Sequence, residues 1–229
     1  MLFNMISLLG LIFSFFVLVA IYKSNRGEKI LKLFSALLVI YKTIEYVIIN
    51  IHGQYTFPIE ISTISYFMFA FILFSNKEKY YHIASFFGIL SGTGFFFYYS
   101  IFGFVSEPFI GTYQHIVATI GHGILFVGGF YLFFKYPFSS QFKYQIYLVL
   151  LAIMCHAAIF QTPDYLNRTL IMFIINPYFL SFSDYLWMNH LLWIIYYLLL
   201  FMIFNRFTKW FYAFSETLKD FQQDAQLHY

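Results

Sequence analysis

Apolar residues along the chain fall into long runs that are separated by short polar segments. A helix needs about 20 mainly apolar residues to cross the hydrocarbon core of a bilayer. The runs predict seven such helices, near residues 2–22, 30–51, 57–75, 80–103, 113–134, 145–161 and 187–205. We therefore expect residues 1–206 to form an all-α, polytopic membrane helix bundle.

The basic residues of the predicted loops indicate how this bundle is oriented. Lys and Arg are enriched in cytoplasmic loops. The first, third and fifth loops carry such residues and the second and fourth carry none, the basic ones being Lys23, Arg26, Lys29, Lys77, Lys79, Lys135 and Lys143. This alternation predicts a multi-pass protein of the cell membrane with its N-terminus outside and its C-terminus inside.

Two segments depart from the regular pattern. In the stretch 162–186, the short apolar run 170–175 ends at Asn176-Pro177. That run is too brief to span the bilayer, so it is predicted to lie on or dip into the outer face.

From residue 207, apolar residues recur at helical spacing and are interspersed with charged residues. The apolar residues are Trp210, Phe211, Phe214, Leu218 and Phe221. The pattern predicts that residues 207–229 form a cytoplasmic tail with an interfacial amphipathic helix.

The composition excludes several classes of protein. Hydrophobic residues make up 61% of the 229 residues and charged residues 10%, whereas soluble domains carry about 25% charge. The net charge of +3 is spread over loops and tail without the basic stripe that phosphate binding needs, so nucleic acid is not an expected partner. The one cysteine, Cys155, excludes an internal disulfide and a multi-cysteine metal site.

Ionisable residues within the predicted helices gather in their outer halves. Such groups cost at least a few kcal/mol inside a membrane, so they normally face the bundle interior and pair there. The outer-half polar residues are Lys42, Glu45, His52, Glu60, Ser62, Thr63, Ser65, His115, Thr119, His122, His156, Asn189 and His190. From this region we predict a substrate-binding set of Glu45, Glu60, His115, Asn167 and His190.

His122 is the main candidate for chemistry. At about 1.5 Å per residue it lies some 13–15 Å below the outer end of its predicted helix, and Gly121 and Gly123 allow another helix or a ligand to approach closely. If the third and fifth helices are neighbours, Ser62 or Thr63 could supply a nucleophile with His122 as its general base. A carboxylate, Glu60 or Glu45, would orient the imidazole.

Plainer interpretations exist for the same residues. Lys42 and Glu45 could form a buried ion pair that only closes the bundle. The hydroxyls of Ser62 and Thr63 could bond only to the preceding helical turn. Polar residues also cluster near any helix end, where they reach the lipid headgroups.

The spacing of the candidate ligands does not match a known metal-binding or phosphate-binding motif. His115, His122, His156 and Glu60 could form a metal site, but they lack a diagnostic local pattern such as H-E-x-x-H. We therefore predict neither a metal nor a cofactor. The glycine-rich segment 91–94 (SGTG) predicts a helix-packing face, since no GxxxxGK[ST] pattern is present.

The order of these features resembles the bacterial YwaF-like integral membrane family, over most of the chain. Segment 57–65, FPIEISTIS, is similar to that family's Leu-Pro-Leu-x-Leu-Cys-x-Ile-Ser helix start. Three further features resemble those of the family and occur in the same order: the turn at Asn76-Lys77, His122, and a late Asn-x-x-Leu-to-Pro stretch. The family's vertebrate relative is a transmembrane acyltransferase that acts on ether phospholipids and is thought to use a cysteine and a histidine. The resemblance places Ser62 at the cysteine position.

A second group, the androgen-induced membrane hydrolases of fatty-acid esters, is thought to use a threonine and a histidine. Gly121-His122-Gly123 is similar to the Asn-His-Gly of that group. Both resemblances imply an acyltransferase or acyl-ester hydrolase that acts on an outer-leaflet lipid or lipoprotein. The alternatives are a solute carrier or substrate-binding membrane subunit without catalysis, and a structural or assembly subunit.

Overall fold

The computed structural model describes residues 2–52, 61–101, 112–160 and 186–227, and these ranges are helical without a strand. Two short 3₁₀ turns, Glu78–Tyr80 and Ser140–Phe142, precede α4 and α6. The helices are α1 Leu2–Lys23, α2 Gly27–Ile51, α3 Ile61–Ser75, α4 Tyr81–Ile101, α5 Thr112–Lys135, α6 Lys143–Phe160 and α7 Leu186–Leu227. All seven predicted helices are therefore present in the described part of the chain.

Four stretches of the described residues are long and apolar enough to cross a membrane. They are Leu2–Lys23, Gly27–Ile51, Glu78–Ile101 and Thr112–Lys135. The apolar helix α3 has 15 described residues, and the residues 57–60 that were predicted to begin it lie outside the described ranges. This all-helical architecture is that of a membrane protein.

The chain packs as two compact units. The first comprises Met1–Glu45 and Ser62–Tyr136, and the second comprises Tyr46–Ile61 and Pro137–Tyr229. At the centre of the first unit, α4 lies against α5 and both pack on α1. Large apolar side chains of α4 and α5 fill this centre, including the fully buried Phe86, Phe87, Leu125 and Leu132.

Glycines bring the backbones of α4 and α5 close together. A Cβ atom on Gly92 would lie 2.7 Å from the backbone nitrogen of Phe126, and one on Gly129 would lie 2.6 Å from the nitrogen of Ile89. Neither position has room for a larger residue. The predicted packing role of segment 91–94 is thus confirmed at Gly92, whereas a Cβ on Gly94 would meet no described atom within 4 Å.

Large side chains of α3 reach α5 at two further glycines. The Tyr66 hydroxyl oxygen lies 3.1 Å from the Cβ position of Gly121, and the Phe69 ring stands against Gly128. Both rings are buried. The third and fifth helices are therefore in side-chain contact, as the pairing of an α3 hydroxyl with His122 requires.

The Glu28 carboxylate joins α2 to α4 and to the end of α5. It accepts hydrogen bonds from the hydroxyls of Tyr81 at 3.2 Å and Tyr136 at 2.9 Å, and it pairs with Lys32 at 2.8 Å. Burial is the main cause that raises the pKa of the Tyr136 hydroxyl above its usual range, and the hydrogen bond to Glu28 is the second cause. Lys32 also donates to Asn76, whose φ of 53° is a left-handed conformation that asparagine tolerates well.

In the second unit, α7 is a single helix of 42 residues that runs through the predicted boundary between residues 206 and 207. The predicted seventh helix and the predicted tail helix are thus one element. At about 1.5 Å per residue it is about 63 Å long. The interfacial position of the tail stays a prediction.

The loop between α5 and α6 is docked on the second half of α7. The Phe138 amide donates to the Ser215 hydroxyl at 2.6 Å, and its ring stacks on Phe211 with centroids 5.8 Å apart. The Ser140 amide donates to the Glu216 carboxylate at 3.1 Å. Phe211, which the sequence pattern placed among the apolar residues of an interfacial helix, is fully buried and stacks on this loop instead.

Candidate functional site around His122

The imidazole of His122 is held between two aromatic rings. It stacks on Phe95 of α4 with centroids 4.1 Å apart and an interplanar angle of 9°. The Tyr66 ring of α3 contacts it edge-on at 5.6 Å. With only 9% of the residue exposed, packing from two neighbouring helices fixes the plane of the ring.

The contacts of Nδ1 favour one tautomer of His122. This nitrogen lies 3.2 Å from the carbonyl oxygen of Ser91 and 3.3 Å from the Ser91 hydroxyl. A carbonyl oxygen can only accept a hydrogen bond, so the shorter contact favours the tautomer that carries its hydrogen on Nδ1. In that tautomer, Nε2 carries the lone pair and is the atom that can act as a base.

Ser91 is a site residue that sequence reasoning missed, as are the two rings of Phe95 and Tyr66. Its carbonyl holds His122 at Nδ1, the role that the sequence suggested for Glu60 or Glu45. The available signal was the spacing of Ser91 and Phe95, which are four residues apart and so share a face of α4. Nothing in that spacing pointed to His122, which lies on another helix.

The predicted pairing of Lys42 with Glu45 is confirmed. The ammonium lies 2.7 Å from the carboxylate, and the two side chains are 17% and 32% exposed. Tyr41 donates to the other carboxylate oxygen at 3.4 Å. The ammonium also lies 5.7 Å from the ring centroid of Tyr66, which places a charged pair beside a ring that contacts His122.

This pair gives a stability prediction. Glu45→Ala leaves the Lys42 ammonium without its carboxylate in a largely apolar setting, and removing one partner of a buried pair costs about 3–5 kcal/mol, with less for a partly exposed pair. We expect a lower yield of folded protein and a lower unfolding temperature in detergent. The double variant Lys42→Met, Glu45→Met should recover most of the lost yield and unfolding temperature. If Glu45→Ala has the yield and unfolding temperature of the wild type, the carboxylate does not stabilise the fold.

Ser62 and Thr63 lie close to the part of α3 that contacts His122. Thr63 is buried and Ser62 is half-buried. Tyr66 follows them by four and three residues, so both hydroxyls are about one helical turn from a ring that touches the imidazole. Both residues are thus on the helix whose Tyr66 ring contacts the imidazole, and their role as nucleophiles stays a prediction.

His115 precedes His122 by seven residues, so it lies on the same face of α5, and it is buried. Its Nε2 lies 3.2 Å from the carbonyl oxygen of Phe3 and 3.0 Å from the Ser7 hydroxyl, both in α1. The Phe95 ring stacks on His115 at 5.8 Å and on His122 at 4.1 Å. His115 thus supports the packing of Phe95, and its assignment to substrate binding stays a prediction.

The other predicted histidines lie in the second unit. His52 is exposed and bonds through Nδ1 to the carbonyl of Ile48 at 2.7 Å. His156 lies half-buried in α6, and His190 lies in the first turns of α7. Glu60 and Asn167 fall outside the described residues. Within the described ranges, no group of three metal-ligating side chains could hold a metal ion.

Comparisons with protein-family models, with curated proteins and with solved structures find no match to this chain. The resemblance to the YwaF-like family therefore stays a prediction. The site itself is a histidine that is held between two aromatic rings and bonded at Nδ1 to Ser91, and the neighbouring helix α3 carries two hydroxyls.

Proposed function

We propose that the protein is a membrane-embedded acyltransferase or acyl-ester hydrolase, with His122 as general base and Ser62 or Thr63 as nucleophile. The observation that carries this proposal is the bond of Nδ1 to the Ser91 carbonyl, because it leaves the Nε2 lone pair for proton transfer. The proposed substrate is an outer-leaflet lipid or lipoprotein.

The proposed reaction has two steps. Nε2 takes the hydroxyl proton while the Ser62 or Thr63 oxygen attacks the acyl carbonyl carbon, and the imidazolium returns the proton to the leaving oxygen as its bond breaks. An alcohol, an amine or water then takes the acyl group from the enzyme by the same proton transfers in reverse. The Ser91 carbonyl would stabilise the imidazolium through Nδ1–H in both steps.

The proposed position of the protein is the cell membrane, with seven crossings, the N-terminus outside and the C-terminus inside. The alternation of basic and neutral loops supports this orientation. In that orientation, His122 and the start of α3 belong to the outer half of the bundle. A lipid of the outer leaflet could then present its ester carbonyl to the site without crossing the membrane.

Mass spectrometry of lipids and lipoproteins tests the nucleophile. Cells producing Ser62→Ala, Thr63→Ala or the double variant are compared with cells producing the wild type. The variant that removes the nucleophile should abolish the product and the acyl-enzyme mass, while the other should retain both. Full activity in the double variant would exclude covalent catalysis by either hydroxyl.

A substrate-binding membrane subunit without catalysis is the second candidate. The partly exposed Lys42–Glu45 pair beside Tyr66 favours it, because such a pair could bind a small polar molecule. A protein of this kind would bind its ligand without forming a covalent acyl adduct at any hydroxyl.

A further inference from the structure

Exposed basic side chains of the first unit gather at one end of its helices. They lie at the end of α1, at the start of α2, in the turn before α4 and at the end of α5. The six residues are Lys23, Arg26, Lys29, Lys77, Lys79 and Lys135. We call this surface the basic end of the first unit.

Contacts between the helix ends hold this surface together. Tyr22 of α1 packs edge-on against the Tyr131 ring of α5, with centroids 6.4 Å apart. The Cβ position of Gly27, the first residue of α2, lies 2.8 Å from the same ring. The Glu28 carboxylate joins the start of α2 to the start of α4 and to the end of α5, as described above. The six basic residues therefore belong to one end of one packed unit.

Little of this positive charge is neutralised within the unit. Glu28 pairs with Lys32 at 2.8 Å, so its charge is balanced by a lysine that is not one of the six. Glu78 adds one exposed carboxylate to this end. In the described part of the chain, the ion pairs are those of Glu28 with Lys32 and of Lys42 with Glu45, and neither involves the six. The basic end thus keeps a clear excess of positive charge.

The headgroups of a bilayer are the anions closest to this surface. The stretches that contain α1, α2, α4 and α5 are long and apolar enough to cross a membrane, and the basic end lies where they meet the membrane–water interface. Tyrosine is enriched at that interface, and Tyr22 is 50% exposed here. The Lys79 ammonium lies 4.9 Å from the ring centroid of Tyr80. This combination of basic and tyrosine side chains is typical of headgroup level.

Three of the six basic residues occupy adjoining helix ends. Arg26 and Lys29 are three residues apart at the start of α2, so they are neighbours on its surface. The Lys135 ammonium donates to the Tyr131 hydroxyl at 2.9 Å, and that oxygen lies 3.0 Å from the Cβ position of Gly27. Lys135 is therefore brought next to the first turn of α2, where Arg26 and Lys29 begin the helix.

We propose that the basic end of the first unit binds the phosphate group of an anionic phospholipid, with Arg26, Lys29 and Lys135 as its ligands. A guanidinium can donate two parallel hydrogen bonds to phosphate oxygens, and the two ammonium groups add compact positive charges. Basic pockets between membrane helices are known to bind anionic headgroups in this way. In the proposed orientation, the bound lipid belongs to the inner leaflet.

This lipid site is separate from the site around His122. Lys135 follows His122 by thirteen residues on α5, which corresponds to about 20 Å along the helix. The proposal therefore rests on the crossing of a membrane by the first unit and not on the reaction at His122. A protein without acyl-transfer activity would still bind the lipid.

Lipid titration of the purified full-length chain tests the proposal. Phosphatidylglycerol and phosphatidylcholine with identical acyl chains are added in a neutral detergent. Phosphatidylglycerol should raise the unfolding temperature and stay bound in native mass spectrometry, whereas phosphatidylcholine should do neither. One Lys or Arg near an anionic lipid contributes about fivefold in affinity. The triple variant Arg26→Gln, Lys29→Gln, Lys135→Gln should therefore bind phosphatidylglycerol about 100-fold more weakly.

The matched control removes three exposed basic side chains from the second unit, in the variant Lys143→Gln, Lys209→Gln, Lys219→Gln. It lowers the net charge by the same amount, so its affinity for phosphatidylglycerol should stay within a few-fold of the wild type. Circular dichroism checks that both triple variants are folded. If the first triple variant is unfolded, Arg26→Gln and Lys135→Gln are measured singly, with an expected loss of about fivefold each.

Three results would overturn the proposal. The first is equal binding of the two lipids by the wild type. The second is equal affinity for phosphatidylglycerol in the two triple variants, or in the wild type and both single variants, because the attraction would then be a general effect of charge. The third is equal stabilisation by glycerol phosphate, which has no acyl chains, because the ligand would then be a free phosphate ester.

Discussion

His122→Ala is expected to lower the rate of acyl transfer or ester hydrolysis by about 10²–10⁴-fold, the usual contribution of general-base assistance. The hydroxyl of Ser62 or Thr63 is a weak nucleophile at neutral pH without a base. The loss should appear mainly in kcat, because the imidazole acts on the reacting proton. The measurement is product formation by mass spectrometry, first in cells and then with purified protein.

The control for this prediction is His52→Ala. It removes the same side chain from an exposed position that bonds only to its own helix among the described contacts, so activity and folded yield should stay at the wild-type level. Wild-type turnover in a folded His122→Ala protein would show that His122 is not the base. The substrate-binding function would then become the leading proposal.

Gly92→Ala is expected to destabilise the fold by about 1–3 kcal/mol, the usual cost of an overpacked core. The new methyl group would lie 2.7 Å from the backbone nitrogen of Phe126 and 2.8 Å from its Cα. Backbone atoms cannot rotate away as a side chain can, so α4 and α5 must separate. Thermal unfolding in detergent, followed by circular dichroism, measures the change.

Gly94→Ala is the matched control, two residues further along the same helix. The Cβ position there meets no described atom within 4 Å, and alanine is a better helix former than glycine by about 1 kcal/mol. This variant should be as stable as the wild type or slightly more stable. Equal losses in both variants would show that the contact at Gly92 does not limit stability.

Much of the helical architecture could be predicted from the sequence, because each helix corresponds to one continuous apolar run. The number and approximate limits of the helices follow from run length and from the polar turns between them. The continuity of α7 could not be predicted in this way. The charged residues after Asn205 suggested an end to the helix, but charges do not break a helix that contains neither proline nor glycine.

The candidate site was predictable only where its contacts lie within one helix. Lys42 and Glu45 are three residues apart, so their pairing follows from helical geometry. Ser91 and His122 are 31 residues apart, and their contact depends on how α4 and α5 rotate about their axes. That rotation is set by tertiary packing at Gly92 and Gly129, which a hydrophobic pattern does not encode.

The stacking of His122 on Phe95 also provides a spectroscopic label. The carbon-bound protons of the imidazole lie over an aromatic face at a centroid distance of 4.1 Å, where the ring current shifts their resonances upfield. Isotope labelling of histidine alone would separate His122 from exposed residues such as His52. The assembly of the site could thus be followed by nuclear magnetic resonance in detergent, without a substrate.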